Sequence, residues 1–331
     1  MKPLLISSIP YTRPDGAKTF SSHMSRIMNA PLYVPRWDDV EITFSSMDPI
    51  GITEEIDGDY TFLCGPYSNQ YLNDDPSRID WVKSLPKPLL YFAHDGENLS
   101  ERYSRFWEEL GDEIDFFLVS RYNIGNRLTE MGKKWAHVEY PYVFGHSMPH
   151  WKSKEDRIIS AGRLVPEKGH RMVASLCRYG YEVSVVGSSG AGEPMFEQKL
   201  YLDALSESGA KILVNVDKDV MNMEASFSKI YMTLGFWPEQ EGPIEYTAFE
   251  CMSLGCIPIV GKIFERHYRE SGLRYFTVES YVEAMPMIDM IFRESEVAAE
   301  MSCHNYEVLK KWGSYLPGMI EDIVMSIKRG R

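Results

Sequence analysis

Short, unbroken apolar runs recur along this chain, separated by segments of helical spacing. In the first half they fall at residues 4–9, 60–64, 88–93, 116–120 and 136–140, with weaker strand-like pieces at 32–34 and 40–44. In the second half they fall at 157–161, 182–186, 211–214, 230–234, 257–260 and 275–278. Apolar runs of this length predict strands buried on both faces, as in parallel sheets. Between them, helical spacing is predicted over 20–28, 100–110, 123–131, 171–177, 195–206, 219–227, 281–293 and 305–328. Within 100–110, Tyr103, Phe106, Trp107 and Leu110 make a core-facing stripe. Gly313 and Pro317 are expected to break or kink the last helix. Strands alternating with helices in both halves predict an α/β chain with two doubly wound, mostly parallel sheets. Residues 141–154, aperiodic and carrying two prolines, read as a linker between domains 1–150 and 151–331.

One stretch, residues 241–260, combines apolar character with acids. A Gly-Pro turn opens it, a short helix carries Glu245 and Glu250, Gly255 ends that helix, and an apolar strand follows. A carboxylate in so apolar a segment is costly unless something donates hydrogen bonds to it, which a hydroxyl-rich ligand does. Five residues apart, the two acids lie about 140° from each other on a helical wheel. They line one cleft if Glu245 lies in the turn and Glu250 in the first helical turn; capping the helix start is the structural alternative. Upstream, Gly162 and Arg163 follow a strand and lead through Lys168, Gly169 and His170 into a helix. That spacing suits a guanidinium fork and an ammonium held over a diphosphate at a helix N-terminus. A solvated basic loop is its alternative. Gly16 and Lys18 sit in a loop after the first strand, and His94-Asp95-Gly96 follows the strand at 88–93. Both places are where α/β folds keep their ligands; a plain turn and a strand-end histidine are the bland readings.

The 331 residues carry a formal charge of −13, which argues against a uniformly basic nucleic-acid glove and leaves room for a local patch. Five cysteines without a Cys-x-x-Cys pair point away from a disulfide framework or a zinc site and toward a reducing cytoplasm. The N-terminus reads as a strand rather than a signal peptide, and no run approaches the roughly 18 apolar residues of a membrane helix.

The motif Gly162-Arg163-x4-Lys168-Gly169, with the later glutamates and Gly255-Cys256-Ile257-Pro258, resembles retaining glycosyltransferases of the GT-B architecture. That group has two glutamates eight apart; here Glu241 to Glu250 is nine and Glu245 to Glu250 five, leaving Glu241 without a role. Ile244-Glu245-Tyr246-Thr247 with Glu250, Tyr91-Phe92-Ala93-His94-Asp95 and Gly16-Ala17-Lys18-Thr19-Phe20 resemble the DNA α-glucosyltransferases of T-even phages, which modify 5-hydroxymethylcytosine from UDP-glucose. The resemblance implies two Rossmann-like domains facing a cleft, with the C-terminal helix packing back on the first. It implies Arg163 and Lys168 on the diphosphate, Glu250 on ribose, Glu245 near the sugar, and His94 with Asp95 at the reacting centre. It also implies a UDP-sugar donor, no metal or other cofactor, and double-stranded DNA bearing a hydroxymethylcytosine or hydroxymethyluracil base, which such an enzyme flips out. Arg13, Lys18, Arg26, Arg102, Arg105 and Arg121 are then candidate phosphate contacts. A polysaccharide or lipid-linked acceptor, and a silent nucleotide-sugar-binding protein, are the rival readings.

Overall fold

The computed structural model describes residues 1–7, 23–30, 32–35, 42–44, 58–64, 76–93, 104–140, 142, 144, 147–189, 195–235 and 244–330. The chain forms two compact units, Met1–Val143 with Trp312–Arg331, and Phe144–Lys311.

In the first unit, seven strands make one sheet: β1 (Pro3–Ser7), β2 (Leu32–Pro35), β3 (Ile42–Phe44), β4 (Tyr60–Cys64), β5 (Leu89–Ala93), β6 (Phe116–Val119) and β7 (Trp135–His137). Their order is β3-β2-β1-β4-β5-β6-β7, parallel throughout except for β3, which runs antiparallel to β2. In the second unit, β8 (Glu155–Arg163), β9 (Glu182–Ser188), β10 (Lys211–Val214), β11 (Ser228–Thr233), β12 (Ile257–Gly261) and β13 (Phe276–Val278) form an all-parallel sheet. Its order is β10-β9-β8-β11-β12-β13. Each order changes direction once, between β1 and β4 and between β8 and β11, as doubly wound sheets do.

Burial explains why the apolar runs marked strands so well. The inner strands β4, β5 and β12 are buried at every residue, whereas the edge strands β7 and β10 have no fully buried position. Phe106 and Leu110 of the expected stripe enter the first core beside Leu63, Tyr91 and Phe117, and Trp107 packs at its margin. The helix Pro76–Ser84 was not read from the sequence; its Ile79 and Val82 enter the first core.

Two expectations change. The helix Ser295–Gly330 runs through Gly313 and Pro317 without a break. An interior proline costs about 3 kcal/mol, but Leu309, Leu316, Ile320 and Val324 are buried along one face. Each such side chain contributes about 1.5–3 kcal/mol, so packing wins. The division between units falls at 143/144 rather than 150/151, and the helix belongs to the first unit from Trp312 onward. Trp151 and Lys154, read as linker, are buried. Lys154 Nζ donates to the carbonyls of Ala225, Ser226 and Ser228 at 3.0, 3.0 and 2.6 Å, closing the C-terminus of the helix Lys218–Phe227.

The tightest approach in the second sheet lies where Gly162 of β8 pairs with Gly187 of β9. A Cβ at Gly187 would stand 1.8 Å from the Gly162 carbonyl oxygen. Gly187→Ala is expected to lower stability in urea unfolding by about 3 kcal/mol. Gly318→Ala, on an open helix face, is expected to raise it by up to about 1 kcal/mol.

Candidate functional site

The strand order reverses between β8 and β11, and doubly wound sheets hold their ligands in the crevice beyond the strand ends at such a reversal. β8 ends at Arg163 and β11 at Thr233. The chain leaving β8 turns at once: Lys168 N–H donates to the Val165 carbonyl at 3.1 Å and Gly169 N–H to the Pro166 carbonyl at 3.0 Å. This turn lies backbone against backbone on the chain leaving β11. A Cβ at Gly169 would meet Leu234 O at 2.3 Å, and one at Gly235 would meet Glu167 O at 2.9 Å. Lys168 is thereby carried over the crevice.

Glu245 reaches it from the other side. The residue is the N-cap of the helix Tyr246–Ser253, and its carbonyl accepts from Ala248 and Phe249 N–H at 3.0 and 3.2 Å. Its side chain makes no cap hydrogen bond. Instead the carboxylate pairs with the Lys168 ammonium, both side chains being about six-sevenths buried. The second carboxylate oxygen lies over Gly162, 3.8 Å from where a Cβ would stand. Gly162, Lys168 and Glu245, named from the sequence, therefore meet at one point.

The helix stops as anticipated. Gly255, at φ +83°, donates to the Met252 carbonyl at 2.9 Å, and Cys256 N–H donates to the Cys251 carbonyl at 3.0 Å, a paired C-terminal closure.

Glu250 departs from the expected geometry. It lies past the first helical turn, is 6% exposed, and pairs through Oε1 with Lys218 Nζ at 2.6 Å. Burial pushes its carboxyl above the ordinary range, opposed by the Lys218 ammonium. Lys218 heads the helix Lys218–Phe227 after β10; nothing in the sequence singled it out, because the pair is 32 positions apart and no local pattern links them. Arg163 has an exposed side chain. Arg26 is exposed and Arg121 half-buried, both in the first unit. His94, Asp95, Gly16, Lys18, Arg13, Arg102 and Glu241 lie outside the described residues, and Arg105 lies in the helix Ser104–Glu109 of the first unit.

His170 holds the turn from below. Its Nε2 lies 2.9 Å from the Arg163 carbonyl and its Nδ1 2.9 Å from Ser160 Oγ. A carbonyl only accepts, so Nε2 carries the proton; when the ring is neutral, Nδ1 accepts from the serine hydroxyl. Burial pulls the ring's pKa down to about 4, the Arg163 carbonyl and Glu245 opposing in part. In the unfolded chain the ring titrates near 6.5. Between about pH 4 and 6.5 the unfolded chain holds a proton that the folded one does not, so stability falls as pH drops, by up to about 1.4 kcal/mol per unit. Urea midpoints across that window are expected to lose this component in His170→Gln, and the His170 ring is expected to stay neutral by NMR at pH 5.

The sequence matches no protein-family profile and no curated protein. Solved structures do match in fold. An Anabaena HepE structure with UDP and glucose aligns over 98% of this chain and 100% of its own, at TM-score 0.68 and 11% identity. An α-glucosyltransferase with UDP-glucose and DNA containing an abasic site aligns over 98% of both, at 0.68 and 14%. The pneumococcal O-GlcNAc transferase GtfA, with UDP and GlcNAc, aligns over 81% of this chain, which spans 56% of it, at 0.53 and 14%. The fold common to this chain and these structures is the GT-B pair of doubly wound sheets.

Proposed function

We propose that this chain is a retaining glycosyltransferase that moves a hexose or pentose from a UDP-sugar to the hydroxymethyl group of a modified pyrimidine in duplex DNA. The observation that carries the donor half is the Lys168–Glu245 pair over Gly162, at the strand-order reversal and beside a helix N-terminus. An ammonium has three donor hydrogens, so Lys168 can keep Glu245 and still take a diphosphate oxygen. As the bond from the anomeric carbon to the diphosphate breaks, negative charge grows on the leaving group. Lys168, Arg163 and the N-terminus of the helix Tyr246–Ser253 meet that charge without a metal ion in this reading. Glu245 orients the sugar and Glu250 accepts from the ribose hydroxyls.

The bond to the sugar forms from the hydroxymethyl oxygen, whose proton goes to Asp95 or to the departing phosphate, and His94 orients the sugar. A base in a duplex is out of reach of such a centre, so the enzyme flips it. HepE and the DNA-bound α-glucosyltransferase match at the same TM-score, 0.68. Fold therefore supports the donor, and the acceptor rests on the sequence islands around Gly16, His94 and Glu245. A polysaccharide or lipid-linked acceptor is the second reading, because the equal match to HepE, with UDP and glucose bound, gives the fold no preference for DNA.

A UDP-release assay crossing several UDP-sugars with unmodified, hydroxymethylcytosine and hydroxymethyluracil DNA tests the proposal. Release is expected only with one sugar and hydroxymethylated DNA. Lys168→Ala is expected to lower kcat/KM by about a hundredfold or more. Release that needs a glycan in place of DNA, or unchanged turnover in Lys168→Ala, contradicts it, and UDP binding with no release under any pairing leaves a binding protein.

A further inference from the structure

The donor reading gives Glu250 a ribose diol to hold and gives Lys218 nothing. Yet the Glu250 carboxylate is almost wholly buried, and the cation that meets it, Lys218 at 2.6 Å, has a side chain more than half exposed. Lys218 is the first residue of a helix fixed at two other points. Lys154 binds its terminal carbonyls. Glu224, 2% exposed, accepts from Ser184 Oγ at 3.0 Å, pairs with Lys211, and faces Arg157 at 3.7 Å. A helix held at its middle and its end presents its first residue at a set place.

We propose that Lys218 is a positioning residue of the donor site, holding the Glu250 carboxylate ionised and aimed so that both its oxygens accept from the two ribose hydroxyls of a uridine nucleotide. This rests on the UDP-sugar reading above. The other charged groups near the Tyr246–Ser253 helix are engaged elsewhere: Lys168 by Glu245, and Lys154 by three carbonyls. Among the described residues, Lys218 is the cation acting on Glu250, and it opposes the upward push of burial. Without it, the acid takes up a proton at higher pH. A protonated carboxyl keeps one good acceptor and turns its other oxygen into a donor, so one of the two charge-assisted bonds to the diol is lost. Such a bond is worth about a factor of ten or more in affinity.

The test uses the full chain, with UDP as probe, and calorimetric Kd values at pH 6 and pH 8. The ratio of variant to wild type at each pH cancels the ionisation of UDP itself. Lys218→Ala is expected to lose more affinity relative to wild type at pH 6 than at pH 8, by up to about tenfold, while Lys218→Arg stays within about twofold at both. In ligand-free protein, the Glu250 carboxyl carbon is expected to titrate at higher pH in Lys218→Ala than in wild type. Equal loss at both pH values assigns Lys218 to the phosphates and overturns the proposal, as does an unmoved Glu250 titration. If wild-type protein binds no UDP, the donor reading falls and takes the ribose diol with it, whereas the Glu250 titration still decides separately whether Lys218 governs that acid.

Discussion

The site depends on one steric constraint, the contact of bare backbone with backbone where the second sheet reverses its strand order. Gly162 and Gly187 come together across β8 and β9, and the turn through Gly169 lies on Leu234. None of these contacts tolerates a side chain; the first locks two neighbouring strands together, and the second holds the turn that follows β8 on the chain leaving β11. Because the turn cannot move, Lys168 meets Glu245 from 77 positions away. Because the turn's underside is sealed, His170 must be neutral there, with each ring nitrogen satisfied by a neutral partner.

Buried charge then sorts the acids of this unit into two kinds. Glu224 has Ser184, Lys211 and Arg157 around it and lies inside a helix, so its role is to hold that helix to the sheet. Glu245 and Glu250 sit at and just beyond the start of a different helix, each met among the described residues by a single cation near the carboxyl end of the sheet. Removing a carboxylate from water is costly unless its partners replace the lost hydrogen bonds. One cation does so only in part, and in the proposed donor site the hydroxyl groups of the ligand supply the remainder. That difference in coordination, rather than burial, sets Glu245 and Glu250 apart from Glu224, since Glu224 and Glu250 are both nearly inaccessible.

Much of this was written in the chain. Continuous apolar runs marked the inner strands because those strands are covered on every side, and helical spacing marked Tyr281–Arg293 and Met195–Ser206 at their observed limits. Gly255 marked the helix stop because its left-handed backbone is one that other residues seldom adopt. Gly162, Lys168 and Glu245 could be named because a glycine turn after a strand and an acid at a helix start are local patterns.

Tertiary structure decided the rest, and in each case the deciding force acted between residues remote in sequence. Pro317 stays inside a helix because the buried face around it outweighs one missing hydrogen bond. Lys154, in a stretch that looked like linker, is buried because carbonyls from a helix end some seventy residues later surround its ammonium. Glu250 turns toward Lys218 because its place beyond the first helical turn points it at the neighbouring helix. Periodicity reports which face of an element is covered. It carries no information about which distant charge will be waiting there.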